Sequence, residues 1–171
     1  MQTILNHGID SSDRTNTGTK SLFGQHLEFS LYNSFPLLTT KKVYWKGVVE
    51  ELLWFLKGDT NANHLSKKGV RIWDQNGSRE FLDKCGFPER EVGDLGPVYG
   101  YQWRKWGKDQ IQTLVNGLKE DPYSRRHILN AWNVSALDQM VLPPCHMMAQ
   151  FYVRNNLLSC QMYQRSADMF L

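Results

Sequence analysis

A cysteine at position 145 follows two prolines and precedes a histidine, in the stretch 141–148 that reads VLPPCHMM. Pro143 and Pro144 fix their own φ angles and disfavour a helix immediately before the cysteine. This setting suits a nucleophilic thiolate that is presented rigidly at the start of a strand. It also suits a small apolar residue packed in a core. The motif by itself leaves both interpretations open.

Arginines beside small polar residues are a second candidate for chemistry. Arg125 and Arg126 are adjacent, Arg14 follows an aspartate, and Arg165 lies between a glutamine and a serine. A guanidinium fork binds phosphate or carboxylate through paired hydrogen bonds, so the set indicates an anion site. Solvated surface arginines are the alternative for any one of them alone.

Two adjacent carboxylates, Glu50 and Glu51, lie within the apolar stretch 43–57, which reads VYWKGVVEELLWFLK. Adjacent residues on a helix do not share a face, so at least one carboxylate must point into apolar surroundings. A buried carboxylate costs several kcal/mol unless it is paired. One of the two is therefore a candidate functional acid.

The elements that position these residues follow from hydrophobic periodicity and turn signals. Helices are predicted at 43–57, 62–68 and 79–85, each closed by a glycine, and from Asp109 to just before Pro122. Strands are predicted at 23–31 and 127–133, and as a hairpin of 146–153 and 157–165 across Asn155-Asn156. Residues 13–19 and the aromatic-rich stretch 86–107 are predicted to be loops.

Composition excludes several classes of protein. The chain has 171 residues, a net charge of +3 and no apolar run near the ~20 residues of a spanning helix, so we expect no membrane partner. The charge is too dispersed to indicate DNA binding and supports RNA binding only weakly. Three cysteines without a CxxC pair predict a reducing compartment, the cytoplasm first, with nucleus and mitochondrion left open. Only Cys145 and His146 are close enough to suggest ligands, so no metal is expected.

Ordered blocks along nearly the whole chain resemble the thymidylate synthase family. They are DRTNTGT at 13–19, FPLLTTKK at 35–42, EELLWFLKGDTN at 50–61, IWDQNGSREFLD at 72–83, GDLGPVYGYQWR at 93–104, DPYSRRHIL at 121–129, LPPCHMMAQFYV at 142–153 and LSCQMYQRSADMFL at 158–171. The GSRE segment at 77–80 and the DLGPVYGYQWR segment at 94–104 are similar to the eukaryotic branch in particular. So many blocks in order make the resemblance specific.

The resemblance implies an α+β fold, a large twisted mixed β-sheet flanked by helices, in one domain over 1–171 that pairs sheet to sheet as a homodimer. It implies reductive methylation of dUMP to dTMP, with 5,10-methylenetetrahydrofolate giving both the carbon and the hydride. The reaction would pass through a covalent adduct between Cys145 and carbon-6 of the pyrimidine.

The resemblance also implies roles for single residues. The catalytic residues would be Cys145, Glu51, Tyr99, Arg165 and Asp168. The nucleotide would be bound by Arg14, His146, Gln164, Arg165 and Ser166 of one subunit and by Arg125 and Arg126 of its partner. The folate would face Ile72, Trp73, Asn76 and Asp168. Cys85 and Cys160 are interpreted as structural.

Three alternatives stay open on the sequence. A related pyrimidine-nucleotide hydroxymethylase would add the carbon and let water replace the hydride. The chain could instead be a non-catalytic fragment, or one piece of a bifunctional reductase-synthase. Because family members continue well beyond the position of Leu171, we expect the chain to be incomplete at its C-terminus and to have little turnover by itself.

Overall fold

The computed structural model describes residues 1–12 and 17–169, which form two compact units. The first comprises 1–43 with 168–171, and the second comprises 44–167. Helices and strands occur in both, which confirms the predicted mixed class at that level. The single domain over 1–171 stays a prediction.

The first unit contains a short helix and a two-stranded ladder. Helix α1 spans Gln2–His7, and strands β1 (Ile9–Ser11) and β2 (Thr19–Ser21) pair antiparallel. The predicted strand over 23–31 is wrong: those residues form no strand, and Phe23 is 93% exposed. A half-buried strand needs a neighbour that satisfies its backbone groups and covers its apolar face. The alternating pattern alone supplies neither.

The second unit holds the remaining helices, whose ends carry the expected signals. They are α2 (Trp45–Leu56), α3 (Ala62–Ser66), α4 (Arg79–Lys84), α5 (Tyr99–Lys105) and α6 (Gln110–Glu120), with a 3₁₀ segment at Val134–Gln139. Asn61, Ser78 and Asp109 cap α3, α4 and α6 by accepting hydrogen bonds from backbone N–H groups. Gly58 has a φ of +72°, the left-handed conformation that ends a helix.

Helix α5 was not predicted, because Gly100 and four nearby aromatics made residues 86–107 resemble a loop. Gly100 is required for a close approach: a Cβ at this position would lie 2.4 Å from the carbonyl oxygen of Asp59. A residue with weak helix propensity is therefore retained for packing. The prediction of an irregular region is wrong for this segment.

The second unit also contains a three-stranded antiparallel sheet. Strands β3 (Ile128–Asn130), β4 (His146–Arg154) and β5 (Leu157–Gln164) lie in the order β3-β4-β5. Asn155 and Asn156 join β4 to β5 with φ of +49° and +60°, which confirms the predicted hairpin. Among the described residues this sheet is smaller than the one that the resemblance implies, and every residue of β5 is exposed.

Aromatic side chains dominate the core between α2 and α5. The Phe55 ring lies 4.5 Å from that of Tyr99, and the Trp54 ring lies 6.1 Å from that of Trp73. Such contacts add to the ~25 cal/mol per Å² gained by burial. Val48 and Leu52 are about half exposed, so α2 buries only one face although its sequence is apolar nearly all round. No helix within the described ranges is long and apolar enough to cross a membrane.

Candidate active site

Cys145 lies one residue before strand β4, where its backbone is fixed by Tyr99. The phenol oxygen of Tyr99 accepts hydrogen bonds from the N–H of Cys145 at 2.7 Å and of His146 at 3.3 Å. Tyr99 begins helix α5 and is 4% exposed. A buried hydroxyl therefore joins the start of α5 to the start of β4, while Cys145 itself is half-buried.

The pKa of Tyr99 is raised, chiefly because burial disfavours the phenolate. The two backbone N–H donors act in the opposite direction, and negative charge on Cys145 and Glu51 raises the pKa further. Tyr99 therefore stays a neutral phenol at physiological pH. Since its oxygen already accepts from the chain, its own proton is free to be donated to a neighbouring group.

Arg165 is held beside Cys145 by backbone carbonyls. Its Nε donates to the Pro144 oxygen at 3.0 Å and its Nη2 to the Pro143 oxygen at 2.9 Å, while its N–H donates to the Cys145 oxygen at 3.0 Å. The two prolines thus present fixed acceptors as well as a stiff approach to the cysteine. The remaining guanidinium N–H groups can bind an anion.

Glu51 is the carboxylate of the adjacent pair that points inward. Trp73 donates its Nε1–H to Oε1 of Glu51 at 2.6 Å. Burial raises the pKa of Glu51, and the hydrogen bond from Trp73 opposes this rise. Glu50 instead forms an ion pair with Lys68, whose hydrogen bond lowers the pKa of Glu50. The geometry thus selects Glu51 as the candidate functional acid.

The end of the β4–β5 hairpin adds polar groups next to the cysteine. His146 pairs with Gln164 across the ladder, and its ring lies 5.8 Å from the Tyr99 ring. Burial lowers the pKa of His146, so the ring is neutral at physiological pH. Gln164 donates to the carbonyl of Ser166 at 2.8 Å, and both residues are exposed. The hairpin therefore places Gln164, Arg165 and Ser166 close to Cys145.

Ile72 and Asn76 form none of the hydrogen bonds given above for the surroundings of Cys145. Ile72 is 48% exposed beside the buried Trp73, and Asn76 is half-buried. Asp168 is exposed and belongs to the first compact unit, whereas Arg14 lies outside the described residues. No group of His, Cys, Asp or Glu in the described part of the chain could hold a metal ion.

Arg125 and Arg126 lie in an exposed loop on another part of the sheet. The carbonyl of Arg125 accepts from Nε2 of Gln150, which is five residues after Cys145 on β4. Five residues of extended strand span about 17 Å. No described contact joins either arginine to the groups around Cys145.

The family model described as thymidylate synthase matches residues 1–171, the entire chain. This chain belongs to the thymidylate synthase family. The match accounts for the ordered blocks that carried the resemblance.

Relatives named thymidylate synthase are similar in sequence to this chain over nearly its whole length. It is 58% identical to the thymidylate synthase of Ascaris suum over 98% of this chain and 62% of that protein. It is 56% identical to the human thymidylate synthase over 100% of this chain and 59% of that protein. A bifunctional dihydrofolate reductase-thymidylate synthase of Daucus carota is 55% identical, over 100% of this chain and 35% of that protein.

The chain thus spans about three-fifths of the monofunctional thymidylate synthases that it matches, and a smaller share of the bifunctional one. The identities to the two kinds of relative differ by only a few per cent. They do not separate the monofunctional from the bifunctional alternative.

Sequence reasoning missed three features of this thymidylate synthase family site. It did not find that the Pro143 and Pro144 carbonyls hold Arg165, that Gln150 holds the Arg125 backbone, or that Tyr99 binds the Cys145 N–H. All three are tertiary hydrogen bonds to backbone groups, which residue spacing does not reveal. Cys85, interpreted as structural, is partly buried with its Sγ 3.8 Å from the Val141 oxygen, whereas Cys160 is exposed.

Proposed function

We propose that this protein is a thymidylate synthase that methylates dUMP reductively to dTMP. The observation that carries the proposal is the setting of Cys145 in a chain of this family: its N–H is bound by buried Tyr99, and Arg165 is held beside it. A cysteine with fixed backbone, partial exposure and an adjacent cation has the features of an activated nucleophile. A small core residue would need none of them.

Cys145 would add as the thiolate to carbon-6 of the pyrimidine, forming the carbon–sulfur bond and making carbon-5 nucleophilic as the enolate. When bound, 5,10-methylenetetrahydrofolate would supply the carbon and the hydride. The proton on carbon-5 must then leave, and the carbon–sulfur bond must break to return the thiolate. Covalent catalysis of this kind divides one difficult substitution into easier steps.

Tyr99 and Glu51 would take part in the proton transfers. Tyr99 keeps a neutral phenol next to Cys145, and its hydroxyl would donate a hydrogen bond that orients the water taking up the carbon-5 proton. Burial raises the pKa of Glu51, the direction that suits a carboxyl group exchanging protons with the pyrimidine oxygen. Trp73 orients Glu51 and offers an apolar ring to the folate side, together with Ile72, Asn76 and Asp168.

The nucleotide phosphate would be bound by Arg14, Arg165 and Ser166 of one subunit and by Arg125 and Arg126 of its partner. Gln164 and His146 would lie next to the pyrimidine ring. Support for a partner comes from the span of about 17 Å between Cys145 and Gln150 along β4. Exposed apolar residues on β5, such as Leu158 and Met162, also leave a surface for a second sheet. We place the homodimer in the cytoplasm, with nucleus and mitochondrion as the alternatives, and assign it no metal and no DNA partner; RNA binding stays the weak alternative stated above.

The activity is tested by incubating the natural protein that carries this sequence with dUMP and 5,10-methylenetetrahydrofolate. A synthase forms dTMP and dihydrofolate in equal amounts, because the hydride comes from the folate ring. A hydroxymethylase forms 5-hydroxymethyl-dUMP and leaves the folate as tetrahydrofolate. Formation of the hydroxymethyl product without dihydrofolate would contradict the proposal.

The shared site is tested by mixing two defective variants, Cys145→Ser and Arg126→Gln, at a dUMP concentration well below the wild-type KM, where Arg126→Gln binds little substrate. In a mixed dimer one site receives the intact cysteine of one subunit and the intact arginine of the other. Random exchange of subunits restores about a quarter of the sites, since half of the dimers are mixed and each has one intact site. No recovery after exchange would show that each subunit uses its own Arg126.

A further inference from the structure

The loop that carries Arg125 and Arg126 is fixed through its backbone by side chains from the neighbouring elements. It runs from the end of α6 at Asp121 to the start of β3 at Ile128. Within the loop, the Ser124 N–H donates to the Asp121 oxygen at 3.1 Å, and the Ile128 N–H donates to the Arg126 oxygen at 2.9 Å. These short-range bonds form turns but leave the loop to be placed relative to the sheet.

The side chains of Gln150 and His127 hold the loop in position. Nε2 of Gln150 on β4 donates to the carbonyl of Arg125 at 3.0 Å. His127, which is 5% exposed, has its Nε2 2.9 Å from the carbonyl of Asp121. In addition, the Phe151 N–H donates to the His127 oxygen at 2.8 Å. The loop is therefore attached to β4 directly beside Arg125.

The guanidinium groups of the same loop are left exposed. Arg125 and Arg126 are both exposed, and their side chains form no ion pair within the described residues. A backbone held in place with free charged ends is suited to binding an incoming anion. Only side-chain rotamers must then be ordered on binding, not the loop itself.

We propose that Gln150 is a positioning residue for the anion-binding pair: its bond to the Arg125 carbonyl sets where the Arg125 guanidinium meets the nucleotide phosphate. This inference rests on the proposed function, in which the arginines bind dUMP across the dimer. Gln150 does not touch the substrate. It acts through Arg125 and through the loop backbone.

A merely structural glutamine would affect stability without affecting dUMP binding through Arg125. The chain offers a matched control, because Gln161 on β5 is the ladder partner of Gln150. Residues directly opposite in an antiparallel pair project from the same face of the sheet. Gln161 is exposed and belongs to no part of the proposed site, so Gln161→Met makes the same chemical change without touching the loop.

The experiment measures the Kd of dUMP by calorimetry for the full chain as wild type, Gln150→Met, Gln161→Met, Arg125→Gln and the double variant Gln150→Met/Arg125→Gln. Urea unfolding is recorded for each. We expect Gln150→Met to weaken dUMP binding roughly fivefold, as for the loss of one hydrogen bond, with Gln161→Met within twofold of wild type. In the Arg125→Gln background, Gln150→Met should have no further effect, because the two residues act in series.

Equal Kd values for wild type and Gln150→Met would overturn the positioning role, and so would an additive effect in the double variant. A wild type that binds no dUMP would instead show that the proposed function fails, and the positioning role with it. If Gln150→Met does not fold, Gln150→Glu provides the test, since a carboxylate of the same shape cannot donate to the Arg125 carbonyl. Binding by Gln150→Glu equal to wild type would overturn the proposal as well.

Discussion

The groups around Cys145 and the loop of Arg125 and Arg126 are built in opposite ways. Around Cys145 the polar atoms are bonded to one another: Tyr99 to two backbone N–H groups, Trp73 to Glu51, and Arg165 to two proline carbonyls. In the arginine loop the two arginines are bonded only through their backbone, and their charged ends remain in solvent.

The difference follows from what each region has to do. Groups that move protons and form a covalent bond work best when they are fixed and shielded from water before the substrate arrives. Unpaired guanidinium groups cannot be buried in advance, because burying an uncompensated charge is too costly. They keep their hydration until an anion replaces it. The variants below test this contrast, beginning with the largest expected effect.

Replacing Cys145 by serine should lower kcat by about three orders of magnitude or more, because it removes the proposed nucleophile. The fold should be unaffected, which urea unfolding checks. Cys160→Ser is the matched control, since Cys160 is an exposed cysteine on β5 outside the site, and it should retain wild-type turnover. Substantial turnover by Cys145→Ser would contradict the proposal that Cys145 is the nucleophile.

Replacing Glu51 by glutamine should lower kcat about a hundredfold through loss of general acid–base catalysis. It should also change stability with pH in a definite direction. Because burial raises the pKa of Glu51 in the folded state, ionisation favours the unfolded chain. Wild type should therefore lose stability relative to Glu51→Gln as the pH rises from about 4.5, the ordinary carboxyl value, through the raised folded value. Urea unfolding at several pH values measures this, and parallel curves for the two proteins would refute the buried-acid assignment.

Replacing Tyr99 by phenylalanine removes the oxygen that accepts from the N–H groups of Cys145 and His146. Leaving these donors unsatisfied should cost about 1–3 kcal/mol in the free energy of unfolding. Loss of the phenol that would orient the proton-accepting water should lower kcat by roughly tenfold to a hundredfold. Tyr101→Phe is the control, since Tyr101 is 39% exposed on the same helix and should change neither quantity appreciably. A Tyr99→Phe protein with wild-type stability would show that the two hydrogen bonds are not formed in solution.

Replacing Arg126 by glutamine should weaken dUMP binding roughly tenfold and leave the free energy of unfolding within about 0.5 kcal/mol of wild type. The loss should shrink as salt increases, because exposed charges are screened. Isothermal titration at two salt concentrations, with urea unfolding alongside, checks both statements. A clear loss of stability would mean that this guanidinium is bonded within the protein, contrary to the contrast drawn above.

The sequence predicted local elements well where the signals lie within a few residues. Glycine-terminated helices and the Asn155-Asn156 hairpin are correct because capping and turn chemistry act locally. The strand over 23–31 failed, since alternation cannot supply a pairing partner. Helix α5 was missed because Gly100 serves a contact with Asp59 that lies 41 residues earlier in the chain.

The candidate site divides in the same way. The types of its residues and the adjacency of Glu50 and Glu51 indicated which groups could do chemistry, and the resemblance named their roles. Which carboxylate points inward required Trp73 to be placed against α2. Hydrogen bonds to backbone carbonyls hold Arg165 and the arginine loop. Every residue has such a carbonyl, so residue types do not reveal these bonds.

The central claim is that Cys145 forms a covalent bond to carbon-6 of the nucleotide. It is tested most directly by incubating the protein with methylenetetrahydrofolate and a dUMP analogue carrying fluorine at carbon-5, where no proton can be removed, and measuring the intact mass after denaturation. We predict a mass increase equal to nucleotide plus folate, located by peptide mapping on the segment that contains Cys145 and absent from Cys145→Ser. An adduct on Cys85 or Cys160, or one that persists in Cys145→Ser, would contradict the claim.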